Sequence, residues 1–330
     1  MRRICLTAVL FTLTVALGAQ DIRLPMKPGS LKFAILGDTG TGKSDQTAVA
    51  NRLNSFRARF PFEFVLLLGD NMYGSDKPSD YVKKFEQPYK PLLDAGVRFY
   101  ATLGNHDDPN QRLYKPFNMN GERYYSYRPS LLGGVRFFAL DSNYMDPTQV
   151  QWLEKELAAS GSDWKIAFFH HPLYASGMHG SDDILRATLE PLFLKYGVNA
   201  VFTGHEHFYE RIKPQKGIQY FVAGASAKLR RGDINDRSGL TAFGYDQGLT
   251  FMLIEIEGNN LHFQTISEAG VTIDSGTIVK SADTNSVVGT STAAGTTGTV
   301  APGAPAATSG RGTPAPAGRG TPAPAAPAGR

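Results

Sequence analysis

The chain has 330 residues, enough for one large domain or two small ones. At 42% hydrophobic and 19% charged residues it has the composition of a soluble globular protein. Its formal net charge of +4 comes from its ends: without Arg2, Arg3, Arg311, Arg319 and Arg330 the middle carries −1, which leaves no basic patch and argues against a nucleic-acid partner.

Residues 1–19 read as a secretory signal peptide. Arg2 and Arg3 form the charged start, Ile4 to Leu17 the apolar stretch, and Ala16-Leu17-Gly18-Ala19 supplies small residues for cleavage. The apolar stretch is short for a membrane span. The mature form is therefore expected in the periplasm or outside the cell, with no span. The only cysteine, Cys5, lies in this leader, so the mature protein is expected to have neither disulfides nor thiolate metal ligands. Residues 20–30, with Pro25 and Pro28, read as a linker, residues 31–283 as one domain, and residues 284–330 as a disordered tail. The tail is Ala, Gly, Pro, Thr and Ser with little to bury, and Gly310 to Ala317 (GRGTPAPA) repeats at Gly318 to Ala325.

Within the domain, Leu31 to Leu36 is an apolar run that ends in Gly37-Asp38-Thr39-Gly40. Thr47 to Phe60 has helical spacing, with Val49, Leu53 and Phe56 on one face. Phe62 to Leu68 runs into Gly69-Asp70-Asn71-Met72-Tyr73. Asp80 to Leu93 reads as a helix broken by Pro88 and Pro91. Val97 to Leu103 runs into Gly104-Asn105-His106-Asp107. Arg112 to Tyr127 reads as loop with short strands, and Val135 to Leu140 as a buried strand ending at Asp141. Asp146-Pro147 starts a helix that runs to about Ala159. Trp164 to Phe169 runs into His170-His171-Pro172, Ser181 to Tyr196 is a helix closed by Gly197, and Val201-Phe202-Thr203 runs into Gly204-His205-Glu206-His207. Ile218 to Ala223, Leu249 to Ile256, Leu261 to Ile266 and Val271 to Val279 complete the strands.

Five apolar runs thus end in side chains of metal-binding type. Such runs suit strands buried on both faces, and in open α/β sheets ligands bind where such strands end. The fold expected is therefore α/β, with five strand endings converging on one place. Asp, Asn, Tyr and neutral His without thiolate suit iron, manganese or zinc. Two ions about 3.5–4 Å apart can share a carboxylate, generate hydroxide and clamp a phosphoryl group. Gly37 to Ser44 also fits the phosphate-binding pattern G-x-x-x-x-G-K-S, which would make the chain a nucleotide hydrolase. That reading leaves the other endings unexplained.

The order GD-x-G, GD-x-x-Y, GNH-D, H-x-P and GH-x-H resembles the calcineurin-like metallophosphoesterases. Tyr73, three residues after Asp70, narrows the resemblance to the purple acid phosphatases: Gly69 to Tyr73 is similar to the small mammalian tartrate-resistant type, and His207 to Arg211 to the plant type. The resemblance covers roughly residues 31–275. It implies a sandwich of two mixed β-sheets flanked by α-helices, and hydrolysis of phosphomonoesters by attack of a metal-bound hydroxide at acidic pH. A phosphodiesterase of the same superfamily is the alternative. It implies that Asp38, Asp70, Tyr73 and His207 hold a ferric ion. Asp70, Asn105, His170 and His205 would hold a divalent ion (iron, zinc or manganese), with Asp70 bridging. His106 and His179 would bind the phosphate and protonate the leaving oxygen; Asn105 would also touch substrate. His171 falls at a position variable in the family and is expected behind the ligands. The partners implied are small phosphorylated substrates or phosphoproteins. The short connection from Asp141 to Pro147 implies an open site, since in the mammalian enzymes a long loop covers it.

Overall fold

A computed structural model describes residues 22–129, 134–280 and 287–291. The expected leader and nearly all of the expected tail lie outside the described residues. The strands form two seven-stranded mixed sheets. In the first, β1 (Leu31–Leu36), β2 (Phe64–Leu67) and β3 (Arg98–Ala101) run parallel. Antiparallel strands β11 (Thr250–Glu257), β12 (Asn260–Ser267), β13 (Thr272–Lys280) and β14 (Val287–Ser291) extend it from β1. In the second, β5 (Val135–Ala139), β6 (Trp164–Phe169), β7 (Ala200–Thr203) and β9 (Gln219–Ala223) run parallel. The antiparallel strands β4 (Tyr125–Tyr127), β8 (Tyr209–Ile212) and β10 (Thr241–Tyr245) complete it.

Strand alternation builds the layers. Phe33 and Ile35 of β1 face the layer between the sheets, where they meet Phe137 of β5 and Phe168 of β6. Ala34 and Leu36 face the other way, onto α1 (Ser44–Arg57) through Val49, Leu53 and Phe56. On the far side of the second sheet, Phe169 and Val201 pack against α4 (Pro147–Ala158) and α5 (Asp183–Tyr196). Helix, sheet, sheet and helix are thus stacked as the resemblance implies. Among the described residues no helix is long and apolar enough to cross a membrane.

Both C-terminal helices begin and end by local chemistry. The Asp146 carboxylate accepts from the Gln149 N–H, the Asp182 carboxylate accepts from the Leu185 N–H, and Gly197 closes α5 in the left-handed conformation at φ +68°. The expected break at Pro88 and Pro91 does not occur. The chain stays helical from α2 (Pro78–Tyr81) through a π turn at Val82–Glu86 into α3 (Gln87–Asp94). Pro88 cannot donate to the Lys84 carbonyl, which accepts instead from Gln46 Nε2 at 2.5 Å.

Three expectations are corrected. The segment expected to be a linker is tied down. Leu24 is buried in the core beneath the first sheet, and the Met26 and Lys27 N–H groups donate to the fully buried Glu255 carboxylate at 2.8 and 2.7 Å. The domain does not stop at residue 283, because β14 pairs with β13 from Val287 to Ser291. β8 and β10 were not foreseen. In β8 the charged Glu210 and Arg211 interrupt the apolar pattern, yet both are buried against partners: Glu210 accepts from Ser176, and Arg211 pairs with Asp274 at 2.8 Å.

Candidate metal centre

The five parallel strand endings meet at one edge of the sandwich, three from the first sheet and two from the second. Backbone hydrogen bonds join them: Asp38 N–H donates to the Gly69 carbonyl, Gly40 N–H to Asp70, Tyr73 N–H to Gly40, and Gly204 N–H to His170. Three of the turns place a non-glycine residue in the left-handed region, Asp38 at φ +57°, Asp70 at +51° and His205 at +70°. Each such residue costs on the order of 1–3 kcal/mol and persists only where its surroundings hold it.

The sharp turn is thus taken by the candidate ligand itself, and the glycines mainly supply room. A Cβ on Gly204 would stand 2.6 Å from Asp38 Oδ2, and one on Gly104 would stand 2.2 Å from Asp70 Oδ1.

Asp38 and Asp70 are buried, at 0% and 1% exposure. Among the described residues neither has a lysine or arginine partner. The nearest basic groups are His207 Nε2, 3.4 Å from Asp38, and His170 Nε2, 3.5 Å from Asp70. Burial pushes the Asp38 carboxyl well up. Burial acts on Asp70 in the same direction, but His170 and the His106 N–H outweigh it and hold its carboxyl low. Tyr73 donates to Asp38 Oδ1 at 3.0 Å and lies 3.4 Å from His207 Nε2. Burial, then the charges of Asp38 and Asp70, push its phenol far up, so the phenolate form requires an added cation.

Burial beside other imidazoles holds His205 down at about 2, and burial with the charges of Lys228 and Arg230 holds His207 at about 4. Both are neutral donors at mildly acidic pH.

A second group of donors lies alongside. Asn105 Oδ1 is 2.9 Å from His170 Nε2 and 3.0 Å from His205 Nδ1. His170 Nδ1 is bonded to the Leu68 carbonyl at 2.9 Å, which makes it the protonated nitrogen and leaves Nε2 free for a ligand. Metal-ligating groups thus fall into two sets, Asp38, Asp70 and His207, and His170, His171 and His205. Two buried carboxylates without a cationic partner, hard oxygen donors and neutral imidazoles are the surroundings that a pair of metal ions fits. His171 comes nearer than expected. Its ring centre is 4.5 Å from that of His205, while its Nδ1 bonds Ser142 Oγ at 2.8 Å.

The remaining expected residues are close by. His106 donates its N–H to Asp70 Oδ1 at 3.0 Å, and its ring centre is 5.0 Å from that of Tyr73. The His179 ring centre is 4.4 Å from that of His205. His262 lies apart, half-buried and bonded to Thr277. Asp141, at the end of β5, turns away to Arg123 at 3.1 Å. Beside Asn105 an open cleft of about 470 Å³ is lined by Leu103, Asp141, Asn143, His171 and Asp182 among others.

Three supporting residues escaped the sequence reading. The half-buried Asp107 carboxylate accepts four hydrogen bonds, from the N–H groups of Asn71, Met72 and Gly104 and from Asn71 Nδ2, and so fastens the Asp70 turn to the Asn105 turn. Burial, then the Asp70 charge, raises it to about 7. Buried Lys84 donates to the carbonyls of Tyr73 and Ser75 and clamps the tyrosine loop. Glu206 accepts from the Gly180 N–H at 2.8 Å and lies 3.3 Å from His179 Nδ1. Glu206 and Asp107 sat inside quoted motifs; Lys84 gave no signal.

The phosphate-loop reading fails on the backbone. The Asp38, Gly40 and Thr41 amides donate to carbonyls, Gly42 to Gln46 Oε1 and Lys43 to Thr41 Oγ1, so none of these amides is left to cradle phosphates. Lys43 itself is exposed.

Purple acid phosphatase 17 of Arabidopsis thaliana is 27% identical over 284 residues, covering 74% of this chain and 84% of its own. Tartrate-resistant acid phosphatase type 5 of Oryctolagus cuniculus is 26% identical, covering 62% and 76%. The solved purple acid phosphatase from yellow lupin seeds superposes with a TM-score of 0.62 at 19% identity over 77% of this chain and 55% of its own, a likeness of fold. The calcineurin-like phosphoesterase family matches residues 31–209, from the first strand through the last histidine of the site. The chain belongs to that family, as a metallophosphoesterase whose relatives named above are acid phosphatases.

Proposed function

We propose that the protein is an exported acid phosphatase that hydrolyses phosphomonoesters at a ferric–divalent centre. Asp38, Asp70, Tyr73 and His207 hold the ferric ion, and Asp70, Asn105, His170 and His205 hold iron, zinc or manganese, with Asp70 shared. The observation that carries this is the pair of buried carboxylates lying within 3.5 Å of imidazole and phenol donors but without a lysine or arginine. When bound, the ions supply positive charge for the phosphoryl oxygens and a water acidic enough to attack phosphorus.

The chain's own residues do the rest. Glu206 accepts the Nδ1 proton of His179 and so leaves Nε2 as the nitrogen that protonates the departing oxygen. His106 is held over the Asp70 turn by its own N–H, within reach of a phosphate at the centre. The cleft beside Asn105 is open, which favours phosphoproteins as well as small phosphorylated compounds.

Metal analysis with a visible spectrum tests the reading. Two ions per chain and a pink to purple band are expected, because phenolate on ferric ion absorbs by charge transfer. Tyr73→Phe should bleach the band while keeping part of the hydrolysis, since the ring stays and the other ligands still hold the ion. A colourless, iron-loaded and active wild type would remove Tyr73 from the coordination sphere. A metal-loaded protein inert towards phosphomonoesters would sink the phosphatase.

A further inference from the structure

The charges around the centre are unevenly distributed. The segment after β9 brings Lys228 to the Tyr73 ring and Arg230 to His207. The Arg230 N–H donates to the His207 carbonyl at 3.0 Å, which fixes the segment against a candidate ligand. The Arg230 guanidinium is shared between Glu206 at 3.4 Å and Asp233 at 3.2 Å. Arg231 is exposed and donates to the Gln247 carbonyl.

Lys228 differs from both. It is half-buried, its Nζ stands 4.0 Å from the centre of the Tyr73 ring, and among the described residues no carboxylate lies within ion-pair distance of it. An ammonium partly withdrawn from water has lost hydration that only an anion restores in full; the face of an aromatic ring returns part of it. The cleft beside Asn105 is bordered by Asp182 and by Asp141, whose charge is already paired with Arg123 at 3.1 Å. A second negative charge on a bound phosphoester is attracted towards Lys228.

We infer that Lys228 is a specificity-determining residue, which binds a second anionic group carried by the phosphoester next to the phosphoryl group that is transferred. The inference rests on the phosphatase reading and adds a substrate class to it: phosphate compounds with an adjacent phosphate or carboxylate. Tyr73 and His106, with ring centres 5.0 Å apart, link the Lys228 side to the place of the transferred phosphoryl group. A charge-assisted hydrogen bond to the second anion corresponds to a preference of about tenfold or more.

The metal-loaded wild type, Lys228→Met and Lys228→Arg should be compared on inorganic pyrophosphate, which carries a second anion, and on para-nitrophenyl phosphate, which does not. Methionine keeps most of the length of the unbranched side chain and removes the ammonium with its charge and donors. The ratio of kcat/KM for pyrophosphate to that for para-nitrophenyl phosphate is expected to fall about tenfold in Lys228→Met, through KM, and to return in Lys228→Arg. An unchanged ratio, whether both activities fall or neither does, would overturn the inference and leave the phosphatase reading standing. A wild type inert on both substrates would overturn the phosphatase reading and this one with it.

Discussion

His179 and His106, to which the proposed function gives the phosphate, differ in their surroundings. His179 leans on the buried Glu206 carboxylate, whereas His106 is fixed through its backbone N–H to Asp70. A carboxylate on Nδ1 orients the imidazole and stabilises its protonated form, and protonation of the departing oxygen matters most when the leaving group is basic. His179→Ala should therefore lower turnover on an alkyl phosphate on the order of 100-fold, and on para-nitrophenyl phosphate by much less. An equal loss on both would make His179 a binding residue. The family pattern gave the position of His179, but the acid that backs it was visible only once Glu206 was seen to fold back onto Gly180.

The loops between elements carry the geometry. The Gly69-Asp70 and Gly104-Asn105 turns approach so closely that only glycine fits at position 104, and Asp107 ties them together. Gly104→Ala should push Asp70 aside, because its Cβ would lie 2.2 Å from Oδ1. The expected result is a protein with native far-ultraviolet circular dichroism that has lost at least one of its two ions per chain. Retention of both would show that the turn yields without moving Asp70. The strands and helices leading into these loops were legible because their apolar spacing survives burial, as in α4 and α5 with their aspartate caps. The π turn was not legible. A proline inside a helical pattern signals a break unless another group takes over the orphaned carbonyl, and Gln46 comes from a different helix.

Two ends of the domain behave differently from their composition. Residues 22–30 hold three of the donors to the Glu255 carboxylate, the Met26 and Lys27 N–H groups and Ser30 Oγ, and bury Leu24. Deleting residues 20–29 removes the Met26 and Lys27 donors from a buried charge and leaves Ser30 and Lys32 beside it, at about 1–3 kcal/mol per lost hydrogen bond. The melting temperature should then fall by on the order of 5 °C or more. Truncation after Ser291, which keeps β14, should leave it nearly unchanged. The reverse result would mean that stability resides in the tail and not in the N-terminal segment. Calorimetry on the two truncated proteins distinguishes these outcomes.

The sequence by itself determined the apolar strands that lead to the site and the identity of the chemical groups at their ends. Apolar periodicity, the glycine-bounded endings at Asp38, Asp70, Asn105 and His205, and the ending at His170 are local properties of the chain. What only the tertiary structure decided is how those endings face one another: which carboxylate is charged, which nitrogen of His170 is free, that His171 joins the cluster, and that Lys84, Glu206 and Lys228 border it. Each of these depends on groups brought together from distant parts of the chain, as with Leu68 and His170, 102 residues apart. Burial and hydrogen bonding across such distances set protonation and orientation, and the order of residues along the chain carries no direct record of either.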